Sequence, residues 1–237
     1  MEHLPHYIGI VFIITTIITF WLLYRAAHYS KIVIVISLLW LTAQAAISLT
    51  GFYTVTTGVP PRFMLLLMPP TIFIVLVFLI KRGRVAIDSF DAKTLTLLHI
   101  VRIPVELTLF GLYLHKVIPE VMTFEGRNFD ILCGLSAPFV YYFGYIKNIL
   151  SPKILIAWNV ICLLLLANIV VTAVLSGPFA FQKFAFNQSD FALLYFPFIW
   201  LPGYVVPIVL FAHLTAIRQL MKSNKPVLAI DPQRNAY

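Results

Sequence analysis

The stretch that decides the fold is residues 95–114, which read LTLLHIVRIPVELTLFGLYL. A run of this length is long enough to cross the roughly 30 Å hydrocarbon layer of a bilayer as one helix. Three ionisable side chains interrupt it, namely His99, Arg102 and Glu106. At about 100° per residue they project within an arc of about 60°, so they form one stripe on one helical face. The stretch is therefore predicted to be a membrane-spanning helix that carries a polar stripe.

The composition of the whole chain is that of an integral membrane protein. Hydrophobic residues make up 61% and charged residues 11% of the 237 residues, whereas soluble domains carry about 25% charged residues. The mean hydropathy is +0.94. Because lipid offers no partner to a free backbone polar group, long apolar segments must be helical. The sequence therefore predicts an all-α integral membrane protein.

Seven apolar segments are long enough to cross the hydrocarbon layer, which predicts a seven-transmembrane-helix bundle. They are residues 7–24, 32–53, 63–80, 94–115, 129–146, 154–176 and 191–217. Together they form one domain, residues 1–221, followed by a polar cytoplasmic tail, residues 222–237. The protein is expected to be a multi-pass protein of the cytoplasmic (plasma) membrane, with the lipid bilayer as its first partner.

The distribution of lysine and arginine predicts the orientation of the bundle. With the N-terminus outside, twelve of these residues fall on the cytoplasmic side and four fall outside. The positive-inside rule therefore predicts an outside N-terminus and a cytoplasmic C-terminus. The net charge of +8 is explained by this topology signal, so no nucleic-acid partner is expected.

The polar stripe is the main candidate for a functional site. A charged group at the bilayer centre costs at least ~2.5–3.5 kcal/mol, so the stripe is expected to face protein, water or a ligand. We predict an intramembrane cavity beside the fourth span that binds a small amphipathic or anionic ligand, for transport or for sensing. The residues expected to line this cavity are His99, Arg102, Glu106, Gln44, Trp40, Tyr113, Trp200 and Tyr204.

Each residue type suggests a role in that cavity. Arg102 pairs with an anionic group, Glu106 and Gln44 orient the ligand, and His99 exchanges protons. The two aromatic residues of the last span pack against the apolar part of the ligand. A structural alternative remains open, in which Arg102 and Glu106, four residues apart, neutralise each other as a packing pair.

A second hypothesis is a haem or metal centre in an enzyme or redox module. His99 lies six residues from Lys93 and His213 lies five residues from Arg218, so both imidazoles are predicted at a similar depth. They could ligate a haem iron, or one metal ion with His28 nearby. The spacing of these histidines matches no established metal motif.

A third hypothesis is a non-catalytic subunit. The polar seam of the second span, residues 37–48, could bind a helix of a partner subunit or of a second copy of the chain. Enzyme activity is not favoured, because the sequence contains neither a Gly-x-Ser-x-Gly elbow nor a glycine-rich phosphate loop. Cys133 and Cys162 lie within predicted spans, where they are expected to act as small apolar residues.

Overall fold

A computed structural model of the chain describes residues 4–58, 60–184, 186 and 191–223. These residues form helices and connecting turns, and no strand occurs among them. Residues 224–237, most of the predicted polar tail, lie outside the described residues. The α-helices are α1 His6–Ala26, α2 Lys31–Leu49, α3 Met64–Leu79, α4 Lys81–Asp88, α5 Ala92–Leu98, α6 Arg102–Leu114, α7 Ile131–Val140, α8 Pro152–Ser176 and α9 Val206–Ser223.

Five helical segments of the described chain are long and apolar enough to span a membrane. They are His6–Ala26, Lys31–Leu49, Ala92–Leu114, Pro152–Ser176 and Leu201–Lys222. A sixth is obtained if α3 and α4, which meet at an angle of 94°, are taken as one broken span. The shorter apolar helix Ile131–Ile146 corresponds to the predicted fifth span. The all-helical, membrane-compatible fold is therefore confirmed, and the count of seven spans stays a prediction.

Several helix ends differ from the predicted boundaries for local reasons. α2 ends at Leu49 rather than residue 53, because Gly51 adopts a left-handed conformation with φ +74° that terminates the helix. The last continuous helix begins at Leu201 rather than residue 191. Pro197 and Pro202 lack the amide hydrogen that an α-helix needs, and the chain forms a π-helical turn over Leu201–Val205.

The central helix, residues 92–114, is not continuous. α5 and α6 are joined by a 3-10 turn, His99–Val101, just before Pro104. Proline has no amide hydrogen to donate to the Ile100 carbonyl, which loosens the α-helical pattern at this level. This central segment packs against α1, α7 and α9. The break therefore places the polar stripe at a point where four helical elements meet.

The connection between α6 and α7 returns into the bundle. Its buried residues include Val117, Ile118, Met122, Thr123 and Asn128, each at most 7% exposed. We call residues 117–130 the re-entrant segment. α6 is 13 residues long, so Arg102 lies ~18 Å from its far end. Because Asp130, the residue before α7, contacts Arg102, α7 begins deep inside the bundle. We call the bundle end at the re-entrant segment the Asn128 end, and the opposite end the Asp88 end.

At the Asp88 end, one carboxylate ties α4 to α9. Asp88 accepts hydrogen bonds from Arg218 Nε at 2.9 Å and Arg218 Nη2 at 3.1 Å. Lys222 Nζ lies 3.0 Å from the second carboxylate oxygen. The Gln219 amide also donates to the Ile87 carbonyl at 2.9 Å. These contacts fix the short amphipathic helix against the bundle after the 94° bend.

We call the contacts of Asp88 with Arg218 and Lys222 the Asp88 clamp. This clamp is expected to make the stability of the folded protein depend on pH. The hydrogen bond from Arg218 holds the pKa of Asp88 below its ordinary value, with Lys222 contributing in the same direction and partial burial opposing it. A lowered folded-state pKa stabilises the fold above the unfolded pKa of about 4, and this stabilisation is lost as pH falls through the folded pKa. Below pH 4, the thermal midpoint of Asp88→Asn should therefore fall less steeply than that of the wild type. If the thermal midpoints of the two proteins fell equally steeply with pH, the clamp would contribute nothing to stability.

Candidate functional site

Two histidines from facing helices lie in contact at the centre of the bundle. The ring centroids of His99 and His213 are 3.8 Å apart and their planes differ by 12°. Both residues are 0% exposed. Trp158 of α8 packs against both rings, with centroid distances of 5.6 Å and 5.8 Å. The structure therefore brings together the two imidazoles that the sequence placed at similar depth.

Asn159 determines which nitrogen of His213 carries the proton. The Asn159 amide nitrogen donates to the Leu155 carbonyl at 2.8 Å, which fixes the orientation of the amide because a carbonyl can only accept. Asn159 Oδ1 consequently faces His213 Nδ1 at 2.8 Å and must accept a proton from it. This leaves a lone pair on His213 Nε2, which lies 4.0 Å from Cys133 Sγ. A ring nitrogen held in this way by an outer hydrogen bond is typical of metal-ligating histidines.

His99 has no such hydrogen bond. Neither of its ring nitrogens has a hydrogen-bonding partner among the described residues. A buried polar group without a partner costs about 1–3 kcal/mol, so this ring is a destabilising element of the protein alone. The ring is held instead by its stack on His213 and by Trp158.

Three ligand atoms converge at this point. One nitrogen each of His99 and His213 and the sulfur of Cys133 all lie within 4.8 Å of one another, and all three residues are buried. Imidazole and thiolate are the donor types that bind zinc and copper. An imidazole binds a metal ion in its ring plane, so these donors can hold one transition-metal ion only after the His99 ring tilts out of its stack on His213.

The geometry does not fit a haem held by both histidines. Axial ligands bind the iron from opposite faces of the porphyrin, whereas the two rings here stack directly with centroids 3.8 Å apart. No porphyrin fits between them. His28, the third histidine considered above, is exposed and its Nε2 contacts the Ser89 carbonyl at 3.0 Å, so it lies outside the cluster.

Arg102 pairs with Asp130 and not with Glu106. The distance from Arg102 Nε to Asp130 Oδ2 is 3.1 Å, and both guanidinium Nη atoms lie 3.5 Å from the Cys162 carbonyl. The hypothesis that Arg102 and Glu106 neutralise each other along one helix is therefore wrong. The physical reason is that α7 begins inside the bundle and places its own carboxylate beside the guanidinium.

Glu106 is bound instead by the re-entrant segment. The Asn128 amide nitrogen lies 2.7 Å from both carboxylate oxygens of Glu106, and it also donates to the Met122 carbonyl at 3.0 Å. Glu106 is 1% exposed and Asn128 is 0% exposed. We call His99, Cys133 and His213 the metal-type cluster. The polar core thus contains this cluster and the carboxylates of Glu106 and Asp130, which lie towards the Asn128 end.

A glycine sets the distance between α6 and α7. A Cβ atom at Gly134 would lie 2.9 Å from Ile103 Cγ1 and 3.2 Å from Arg102 Cβ. These are closer than side chains tolerate, so α7 can carry Cys133 up to α6 only because residue 134 is glycine.

Gly134→Ala is expected to destabilise the protein by ~1–3 kcal/mol, the usual cost of overpacking a close helix contact. Thermal unfolding in detergent would measure the loss. Gly9→Ala is a suitable control, because its nearest contact would be 3.7 Å from Pro197 Cγ. Equal midpoints for the two variants would contradict the close packing.

The other predicted ligand-binding residues lie at a second place, between α2 and residues 200–204. Trp40 Nε1 donates to the Gly203 carbonyl at 2.7 Å, and Trp200 Nε1 donates to the Leu41 carbonyl at 3.0 Å. Gln44 accepts a hydrogen bond from the Tyr53 hydroxyl at 2.6 Å. These reciprocal bonds join α2 to the segment before α9.

Two further predicted residues complete the comparison. Tyr204 is buried in the segment that contacts α2. Tyr113 lies near the Asn128 end, with its hydroxyl 3.4 Å from Glu120. Within the described chain, no hydrogen bond or ion pair joins the residues around α2 to the polar core around His99. The structure thus divides the predicted ligand-binding residues into separate groups.

A narrow cleft of about 40 Å³ lies beside the central segment, between α3, α8 and the start of α9, and it is partly open. Leu109 and Met122 lie at its inner side, and every residue that lines it is apolar. Arg102 and Glu106 do not line this cleft.

Sequence reasoning missed four members of the polar core, namely Asn128, Asp130, Cys133 and Asn159. Asp130 and Asn128 fall at the edge of a predicted span, where polar residues are ordinary. The position of Cys133 within an apolar span predicts a small apolar role for it. The available signal was that cysteine, like histidine, commonly binds metal ions. Only the helix packing shows that Cys133 lies close to His99 and His213.

The chain matches no protein-family model, no curated protein and no solved structure. The fold supports a general class of protein, because its apolar helices are compatible with a membrane protein.

Proposed function

We propose that this protein is an integral membrane protein that holds one transition-metal ion, of the borderline-soft type of Zn²⁺, between His99, Cys133 and His213. The observation that carries the proposal is the convergence of three buried ligand atoms within 4.8 Å. The proposal includes a seven-span bundle with an outside N-terminus in the cytoplasmic membrane.

The donor set supports a metal with affinity for nitrogen and sulfur. Zinc is bound by cysteine sulfur and histidine nitrogen, and sites with three protein ligands keep a fourth position open for water or substrate. Harder ions such as Mg²⁺ prefer oxygen ligands. With three protein donors, the site resembles exchangeable or catalytic metal sites more than closed structural ones.

The surrounding charges suit a divalent ion. With Cys133 bound as thiolate, the thiolate and Asp130 offset two of the three positive charges of the ion and Arg102, and ionisation of the neighbouring Glu106 would offset the third. Charges within a bilayer are costly unless they are paired, so a neutral cluster is the favourable state. The start of α7, which carries Cys133 in its first turn, adds the positive end of a helix dipole, which favours negative charge there.

This hypothesis explains the structure better than an anionic ligand bound by Arg102. The Arg102 guanidinium already pairs with Asp130, and Glu106 already binds Asn128. An anion bound by Arg102 would have to displace Asp130 for as long as it stays bound, whereas a metal ion held by the metal-type cluster leaves this ion pair in place. The metal ion would bind one of the two nitrogens of His99, neither of which has a partner within the described chain.

Metal titration of the purified protein tests the proposal. The protein is prepared in mild detergent, stripped with a chelator and titrated with Zn²⁺ while native mass spectrometry counts bound ions. We expect one ion per chain in the wild type and in the control His28→Ala, whose histidine is exposed. We expect none in His213→Ala at the same concentration. Equal binding by His213→Ala, or no binding by the wild type, would refute the proposal.

A further inference from the structure

We infer that the metal ion reaches its site from the Asn128 end, through a transient cation-binding station formed by the carboxylates of Glu106 and Asp130. This inference rests on the proposed metal site, and it assigns a substrate class, a hydrated divalent cation, to two residues that are not ligands of the final site. Carboxylate oxygens are ligands that a partly hydrated cation accepts before it is transferred to nitrogen and sulfur donors.

The first observation is that Asp130 is incompletely paired. Its Oδ2 contacts Arg102, but its Oδ1 has no hydrogen-bonding partner among the described residues, although Asp130 is only 4% exposed. A buried carboxylate oxygen without a partner is costly, as are other unsatisfied polar groups. Together with the two unpaired nitrogens of His99, it marks a series of free donor atoms for a cation.

The second observation is that both carboxylates lie on the same side of the metal-type cluster. Glu106 lies one helical turn beyond Arg102 towards the Asn128 end, and Asp130 immediately precedes α7. Asp130 contacts Arg102, which lies four residues before Glu106 on the same helix. A cation entering from the Asn128 end would therefore meet Glu106, then Asp130, and then Cys133.

The opposite side of the cluster offers no ionised group within the described bundle interior. Towards the Asp88 end, the cluster is followed by buried apolar side chains and uncharged polar ones. The apolar residues there are Leu95, Leu98 and Ala216, and the polar residues are Thr96, Tyr145 and Thr215. Trp158 covers both imidazole rings. A divalent ion entering along this side would lose its hydration shell, and no charged side chain described there would compensate for that cost.

Two groups act as barriers on the Asn128 side. The Arg102 guanidinium occupies one oxygen of Asp130, while its contacts to the Cys162 carbonyl are long, at 3.5 Å. Asn128 spans both oxygens of Glu106 at 2.7 Å. A cation that binds either carboxylate competes with these donors, so passage requires Asn128 and Arg102 to swing away.

Sided loading of proteoliposomes tests the direction. The protein is reconstituted in vesicles, the fraction facing each way is measured by protease cleavage of terminal tags, and Zn²⁺ is added outside with a zinc-sensitive dye in the lumen. Bound zinc is counted after the external ion is removed with an impermeant chelator. We expect loading only of those molecules whose Asn128 end faces the added Zn²⁺. Loading of the molecules whose Asp88 end faces the added ion would overturn the inference.

A carboxylate variant tests the station separately from the site. Glu106→Gln should slow Zn²⁺ loading at least tenfold, with a smaller change in equilibrium affinity. The matched control is Glu120→Gln, at an exposed glutamate of the same end beside Tyr113, which should load at the wild-type rate. An unchanged rate in Glu106→Gln, or equal losses of rate and affinity, would overturn the station. Failure of the proposed site itself would be distinct, because the wild type would then bind no zinc at equilibrium.

Discussion

Replacing Cys133 with serine, or either His99 or His213 with alanine, is expected to weaken Zn²⁺ binding by more than ~100-fold, equivalent to about 2.8 kcal/mol. Each substitution removes one of three protein ligands. Asn159→Leu should have an intermediate effect of about 10–100-fold, because the orienting bond to His213 Nδ1 is lost while the ligand remains. Competition titration with a chelator of known affinity measures all four variants.

The same series separates metal binding from a purely structural role. If the histidines serve only packing, Zn²⁺ should not raise the thermal midpoint of the wild type, since an ion that does not bind the native state cannot stabilise it. We expect Zn²⁺ to stabilise the wild type and the exposed control His28→Ala but not His99→Ala. Equal stabilisation of wild type and His99→Ala would contradict the assignment of that residue.

The second large effect is expected at the ion pair between Arg102 and Asp130. Replacing either residue with leucine leaves the other charge buried, which costs ~3–5 kcal/mol. The side chains are 2% and 6% exposed, so water cannot easily stabilise the remaining charge. The double variant Arg102→Leu/Asp130→Leu should recover most of the loss, because both charges are then removed together.

Reversible unfolding in mixed micelles can measure this double-mutant cycle. Arg127→Leu is the control, since Arg127 is exposed and lies over the Phe184 ring; it should cost less than about 1 kcal/mol. If the two single variants were as stable as Arg127→Leu, the ion pair would not be buried as the structure has it. If the double variant lost the sum of both single effects, the two residues would not interact.

The membrane-compatible helical fold could be predicted because it depends on local properties. An apolar run of about 20 residues predicts a spanning helix whatever its neighbours are. α1 and α8 accordingly lie close to their predicted boundaries. Predictions were weaker where single residues act on the backbone, as at Gly51 and at Pro197 and Pro202 before α9.

The polar core could be predicted only in part. The stripe of His99, Arg102 and Glu106 follows from helical periodicity, and the similar depth of His99 and His213 follows from counting residues. Their partners come from elsewhere in the chain, because the re-entrant segment places Asn128 and Asp130 where a solvated loop is the ordinary expectation. Long-range packing of this kind leaves no periodic signal in one sequence.

The reciprocal bonds between α2 and residues 200–204 illustrate the same limit. Trp40 and Trp200 were grouped with the polar stripe because their residue types suit a ligand cavity. The structure shows that each indole satisfies a carbonyl of the other segment. A buried indole needs such a partner, so its hydrogen bond is explained by helix packing without a ligand.

X-ray absorption spectroscopy at the zinc edge of the Zn²⁺-loaded protein tests the central claim most directly. We predict a first shell with one sulfur at ~2.3 Å and at least two imidazole nitrogens at ~2.0–2.1 Å. The sulfur contribution should disappear in Cys133→Ser. A shell made only of oxygen and nitrogen in the wild type, or a sulfur signal that persists in Cys133→Ser, would contradict a site formed by His99, Cys133 and His213.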